Sequence, residues 1–181
     1  MASYYYLIAS LPMLKLDDLP PLSSEEFLAT CQQALSNKDF MLVQSFVDGT
    51  VSSSQSRHPY VVSWNKFLQQ VLSTLHAARI EKLGLPAAQE QDVFASDLKV
   101  QDVIREVMQA PNPLEAELIL IRLYWEKATE LAKLKIFTIE VVCTYAIHLG
   151  LLERKALFTP LEGNAEFKRL FSNLQSIIKS I

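Results

Sequence analysis

Asn112–Leu134, NPLEAELILIRLYWEKATELAKL, is the stretch whose reading decides the fold. Asn112 can accept hydrogen bonds from the orphan N–H groups of a first turn. Pro113 has its φ pre-set for the first helical position, and Glu115 can reach back as in a capping box. A helix therefore starts here. At about 100° per residue, Leu114, Leu118, Leu120, Ile121, Leu123, Tyr124, Trp125, Ala128, Leu131, Ala132 and Leu134 cover roughly two-thirds of the circumference. Glu115, Arg122, Glu126, Glu130 and Lys133 form the narrow strip suited to water. So wide an apolar arc implies several neighbours along roughly 33 Å of helix. The stretch reads as the central helix of an all-α, multi-helix bundle.

Helical spacing continues on both sides. Before it, Ser96–Gln109 turns Val100, Val103, Ile104, Val107 and Met108 inward, and Ala110-Pro111-Asn112-Pro113 separates the two helices. After it, Phe137 or Thr138 begins a helix through Val141, Val142, Tyr145, Ala146 and Leu149 toward Arg154. Pro59–Leu83 is the cleanest amphipathic helix. Tyr60, Val61, Trp64, Phe67, Leu68, Val71, Leu72, Leu75 and Ala78 share one face, and Gly84 supplies the stop. Ser23 or Ser24 caps a helix carrying Phe27, Leu28, Cys31 and Leu35, with Glu26 at capping-box distance from Ser23. A partner from Lys38 to Val47, ended by Asp48-Gly49, completes an antiparallel pair. Asn164–Ile181 places Phe167, Leu170, Phe171, Leu174, Ile177, Ile178 and Ile181 at helical spacing, as a terminal helix docked on the bundle.

The non-helical segments are few. Ser3–Ser10, aromatic and uncharged, reads as a short buried strand or a buried helical turn. Met13–Leu22, with Pro20 and Pro21, is an extended connector. Residues 50–57, TVSSSQSR, read as a serine-rich loop with little to bury, either a flexible connection or one shortened relative to a longer relative. Glycines are sparse, no convincing alternating strand pattern occurs, and no repeat of fixed period is visible. The whole chain, 1–181, therefore reads as a single helical domain.

Composition narrows the functional classes. A chain of 181 residues can bury roughly 70% of its unfolded surface without covalent staples. Half of the residues are hydrophobic, more than a single small core comfortably hides, so some of the excess is expected in contacts with other chains. Net charge −3 gives no basic footprint for nucleic acid and disfavours anionic membranes. Cys31 and Cys143, far apart on apolar-periodic segments, read as reduced and buried. The N-terminus lacks the features of a secretory signal, and Ile139–Leu152 is too short to span a bilayer. A cytoplasmic protein is expected.

No motif for bond chemistry stands out. There is no GxGxxG or GxxxxGK[ST] loop to cradle phosphate. His58, His76 and His148 show no metal-ligand spacing, and the cysteines form no CxxC. His76 reads as a solvated histidine and His148 as a satisfied one at the core edge. Ser63 with Lys66, and Ser176 with Lys179, fit SxxK without its companion elements. Glu117 falls inside the apolar arc. It is either a first-turn glutamate near solvent or a buried carboxylate paired with Arg105, Arg122 or Arg154. On the polar strip, Arg122 with Glu126 and Glu130 with Lys133 stand at ion-pair spacing. No catalytic, cofactor-binding or metal residue is assigned, no cofactor is expected, and the partner-binding residues stay unassigned.

Two stretches taken together, YYYLIASLP at Tyr4–Pro12 and NPLEAELILIRLYW at Asn112–Trp125 followed by Phe137–Arg154, resemble a bacterial family encoded with V-type ATPase subunits. That family is similar to shortened versions of the C (or d) subunit of A/V-type rotary ATPases. The resemblance implies a non-catalytic helical subunit or accessory with part of that C (or d) fold. It would be a socket between the rotating central shaft and the membrane rotor ring of a proton- or sodium-translocating complex. Its partners would be those protein subunits, with the membrane reached only through the complex. The alternatives are a small helical enzyme using an unrecognised carboxylate or histidine site, and a helical adaptor unrelated to rotary ATPases.

Overall fold

The computed structural model describes residues 4–51, 57–84, 97–159, 168–173 and 175. Among these the chain is all-α, with no strand. Seven helices follow in order: α1 (Tyr4–Ser10), α2 (Ser24–Ala34), α3 (Asn37–Val47), α4 (Pro59–Leu83), α5 (Leu98–Gln109), α6 (Pro113–Leu131) and α7 (Ile139–Ala156). Further helical residues lie at 168–173 and 175.

The helix starts follow local chemistry. Ser23 Oγ accepts from the N–H of Glu26, and the Glu26 carboxylate accepts from the N–H of Ser23, so α2 opens on a complete capping box. Asn112 Oδ1 accepts from the N–H of Glu115 at 2.9 Å with Pro113 behind it, as the sequence requires. Ser36 and Asp97 cap α3 and α5. The C-terminal stop of α4 is Gly84, at φ +63, in the left-handed region that glycine enters at no steric cost.

Antiparallel α6 and α7 are zipped by contacts that descend along both: Ala128 O accepts from Thr144 Oγ1, Trp125 stacks on His148, and Glu117 pairs with Arg154. Helix α5 joins α6 through the Pro111–Asn112 break and packs against both α6 and α4. The N-terminal segment runs along α7 in the same direction. Tyr5 meets Phe137, the Tyr145 hydroxyl donates to Pro12 O at 3.1 Å, and Lys155 Nζ donates to Leu16 O at 2.7 Å. At the far end of α7, Glu153 accepts from the Ser24 N–H and hydroxyl at 2.7 and 2.6 Å, anchoring the start of α2.

The centre of the bundle is α7, not α6. Helix α7 buries Val142, Cys143, Thr144, Ala146, Ile147, Leu149 and Leu152, because α1, α2, α3 and α6 all pack on it. Helix α6 buries only Ile121, Leu123 and Ala128. Its wide apolar arc is shared among α4, α5 and α7, which leaves Leu118, Tyr124 and Trp125 partly covered. It also ends at Leu131, before the expected Leu134, because the chain must reverse there to enter α7.

Four expectations about burial are corrected. Ser3–Ser10 is helical from Tyr4, but only Leu7 is fully buried, and Tyr5 and Tyr6 face solvent. Leu72 sits on the wet side of α4. Leu134 is exposed rather than part of the apolar arc. The described residues of the terminal segment are helical but exposed, with Leu170 and Phe171 about half accessible, so they do not join the core. The remainder of Asn164–Ile181 and most of the 50–57 loop lie outside the described residues.

Candidate interaction surface

Glu117 and His148 are spent on holding α6 and α7 together. Glu117 Oε1 lies 2.7 Å from Arg154 Nη2, so the glutamate is paired across α6 and α7 and only partly buried. Tyr124 lies beside this pair. Burial, and then the Glu117 charge, push its phenol upward. The polar strip is solvated, but its pairs differ from those expected. Glu126 reaches Lys99 on α5 at 2.8 Å, and Glu130 pairs with Lys127 at 3.1 Å. Arg122 and Lys133 take no part in these two pairs, because Glu126 and Glu130 find a closer cation across or along the helix.

His148 stacks on Trp125 with ring centroids 3.7 Å apart and planes 6° apart. Its Nε2 is 3.2 Å from Trp125 O and 3.3 Å from Thr129 Oγ1, whose own proton goes to that same carbonyl. A carbonyl can only accept, so Nε2 carries the proton and the neutral ring ties α7 to α6. Burial holds its pKa down to about 4, against a small opposing push from the Trp125 carbonyl. It is the satisfied core-edge histidine that its sequence context implied. His76, Ser63 and Lys66 are exposed, and Ser176 with Lys179 lies outside the described residues.

Deeper in the core, the Tyr60 and Thr144 hydroxyls share a 2.7 Å hydrogen bond, and Thr144 also reaches Ala128 O at 3.3 Å. Cys31 and Cys143 are free and buried, and burial pushes the Cys31 thiol up to about 12 and Cys143 higher still. Among the described residues no group of three or more His, Cys, Asp or Glu side chains could hold a metal ion.

Two concavities are prominent. A cleft of about 340 Å³ lies between the N-terminal segment (Ile8, Leu11, Met13, Leu14) and α7 (Val141, Tyr145, His148). Its walls are mainly apolar, and the Tyr145 and Thr144 hydroxyls are already bonded within the protein. A wider open groove of about 870 Å³ runs between α4 and α5, with Glu81, Lys82, Gln101 and Arg105 on its walls.

The most unusual surface is one end of the bundle, where α1 meets the α6–α7 turn. Leu134 is 93% exposed, Ile136 71% and Tyr6 73%, with Tyr5 and Phe137 packed edge to face at 4.8 Å. Leu134 and Phe137 hold φ of +67 and +53, a left-handed conformation that side-chain-bearing residues adopt at a cost. The signal for this tip, Lys133-Leu134-Lys135-Ile136-Phe137, is an apolar alternation with lysine at a helix junction lacking glycine or proline. Sequence reasoning missed it because the apolar residues extend the helical spacing on either side.

Fold and surface together define an all-helical protein with large apolar side chains exposed at one end of its bundle. Over residues 1–49 the chain is similar to a family described as "Protein of unknown function (DUF2764)". No curated protein and no solved structure matches the chain. No helix among the described residues is long and apolar enough to cross a membrane.

Proposed function

We propose that the chain is a non-catalytic, cytoplasmic subunit or accessory protein of a V-type rotary ATPase. It works by protein contact with the central shaft and the membrane rotor ring. One observation supports this above the others. The three stretches that carry the resemblance, Tyr4–Pro12, Asn112–Trp125 and Phe137–Arg154, form one contiguous unit, since α1 and α6 both pack on α7 and Tyr145 bonds to Pro12 O. Features far apart in the chain thus form one structural element, as expected if they were kept for a common scaffold. A rigid core and apolar side chains left at the surface are what a mechanical connector needs.

The enzyme alternative called for a polar pocket around a shifted Glu117 or His148. His148 is shifted, but it faces an apolar cleft with its Nε2–H committed to Trp125. The deciding experiment is co-expression with the shaft and rotor-ring subunits of the same ATPase, followed by affinity purification. Co-elution in a fixed ratio is expected. Recovery of the chain alone, under conditions that keep the other subunits assembled, would overturn the proposal.

A further inference from the structure

We propose that the end of the bundle built by α1 and the α6–α7 turn is a contact surface for an anionic phospholipid bilayer. This does not rest on the ATPase reading. It begins with shape. Leu134 and Ile136, at 93% and 71% exposed, stand out from the turn, next to Phe137, on which Tyr5 packs with Tyr6 beside it. Projecting aliphatic side chains at the end of the bundle that also exposes Tyr5 and Tyr6 suit the headgroup–acyl boundary, where amphipathic aromatic rings are favoured.

The backbone adds an independent reason. Leu134 and Phe137 occupy the left-handed region, where glycine or asparagine would be easier. A junction serving only as a turn would gain from glycine at both. Retaining two large apolar side chains there, one of them almost wholly in water, is costly unless the side chains themselves are used.

Charge selects the kind of surface. Lys133 and Lys135 alternate with the apolar residues, and Lys135 makes only a loose 3.8 Å pair with Glu140. Tyr4 of α1 donates to Asp39 and His58 acts on Glu140, so the starts of α3 and α4 reach this end, with Lys38 and Arg57 next to those residues in the chain. Lys133 and Lys135 in the turn itself stand against one nearby carboxylate, Glu140, while the chain as a whole carries net charge −3. The protein is polarised, with its cationic, apolar tip directed at an anionic surface and its acidic remainder held away. The negative total, read from the sequence as unfavourable to membranes, then orients the molecule instead of excluding it.

The test is flotation of the full-length protein with vesicles of phosphatidylcholine, with and without phosphatidylglycerol. Binding to the anionic vesicles, weakened by salt, is expected, with little binding to the neutral ones. Combined Leu134→Asn and Ile136→Ser should lower anionic-vesicle partitioning by roughly a hundredfold, and Lys133→Gln by roughly fivefold. Both apolar positions are exposed, so circular dichroism and thermal unfolding should show the fold intact. Leu72→Ser on mid-α4, and Leu170→Ser with Phe171→Ser in the terminal helical residues, should leave binding unchanged. Three results would each overturn the proposal: no anionic-vesicle binding by the wild type; undiminished binding by the tip variant; or loss through the Leu170 and Phe171 changes instead. A tip variant that binds vesicles normally but fails to co-elute with a protein partner would assign the tip to that partner. Because the assay contains only lipid and this chain, its outcome is separable from the ATPase co-purification.

Discussion

His148 makes the stability of the fold depend on pH in a calculable way. In the unfolded chain an imidazole titrates near 6.5, whereas against Trp125 it titrates near 4. Between those values the unfolded state binds more protons than the folded one, so stability rises with pH across the window and falls as acid is added. The full difference of about 2.5 pH units corresponds to about 3 kcal/mol, of which about 2 kcal/mol is already lost by about pH 5 relative to neutrality. Urea unfolding followed by circular dichroism at neutral pH and at about pH 5 measures the loss. His148→Gln supplies the reference: it forfeits the Trp125 stacking at every pH but has nothing to titrate, so its stability should fall by about 2 kcal/mol less over the same interval. NMR titration of the His148 ring protons should give a midpoint well below 6.5. A midpoint at or above that value, or equal acid losses in wild type and variant, would refute the assignment of His148 as a buried neutral tie between α6 and α7.

Other outcomes follow from the interior contacts. Glu117→Gln should cost less than about 1 kcal/mol in urea unfolding, because Arg154 is more than half exposed and water screens the pair. Thr144→Val should cost about 1–3 kcal/mol by leaving the Tyr60 hydroxyl buried without its 2.7 Å partner. Adding Tyr60→Phe should then cost less than it does in the wild type, whereas strict additivity in the double-mutant cycle would contradict the bond. Cys31 and Cys143 should resist a thiol-specific reagent in native buffer and react only on unfolding. Rapid native labelling of either would contradict their burial and raised pKa values.

Local chemistry made most of the fold legible. The full span of α4 followed from Pro59 and Gly84 with a periodic apolar face between them, and the starts of α2 and α6 from Ser23 with Glu26 and from Asn112 with Pro113. These signals act within a few residues, so no tertiary knowledge was needed. The partner of Glu117 could not be chosen among Arg105, Arg122 and Arg154, because that depends on the antiparallel register of α6 and α7. The Arg122–Glu126 pair expected along the polar strip gave way for a related reason, since Lys99 on another helix takes Glu126, whereas Glu130 pairs with Lys127 within α6 in place of Lys133. The exposed tip was hidden because Leu134 continues the apolar period of α6 and Phe137 adjoins the start of α7. Only the reversal of the chain separates them.

The exchange of roles between α6 and α7 has a physical cause in side-chain size. Helix α6 has the broader apolar arc, but Leu118, Leu120, Tyr124 and Trp125 on that arc are too large for its three neighbours to cover completely, and each stays partly exposed. Helix α7 carries Cys143, Thr144 and Ala146 on its inner turns, modest side chains that α1, α2, α3 and α6 together cover completely. Breadth of apolar character measures how many surfaces a helix could cover, whereas small residues decide how closely neighbours can surround it. A helix enclosed on several sides therefore needs modest side chains more than large ones. The large apolar residues left at the periphery, Leu134, Ile136 and Tyr6 among them, are the part of the hydrophobic excess that remains for binding something outside the chain.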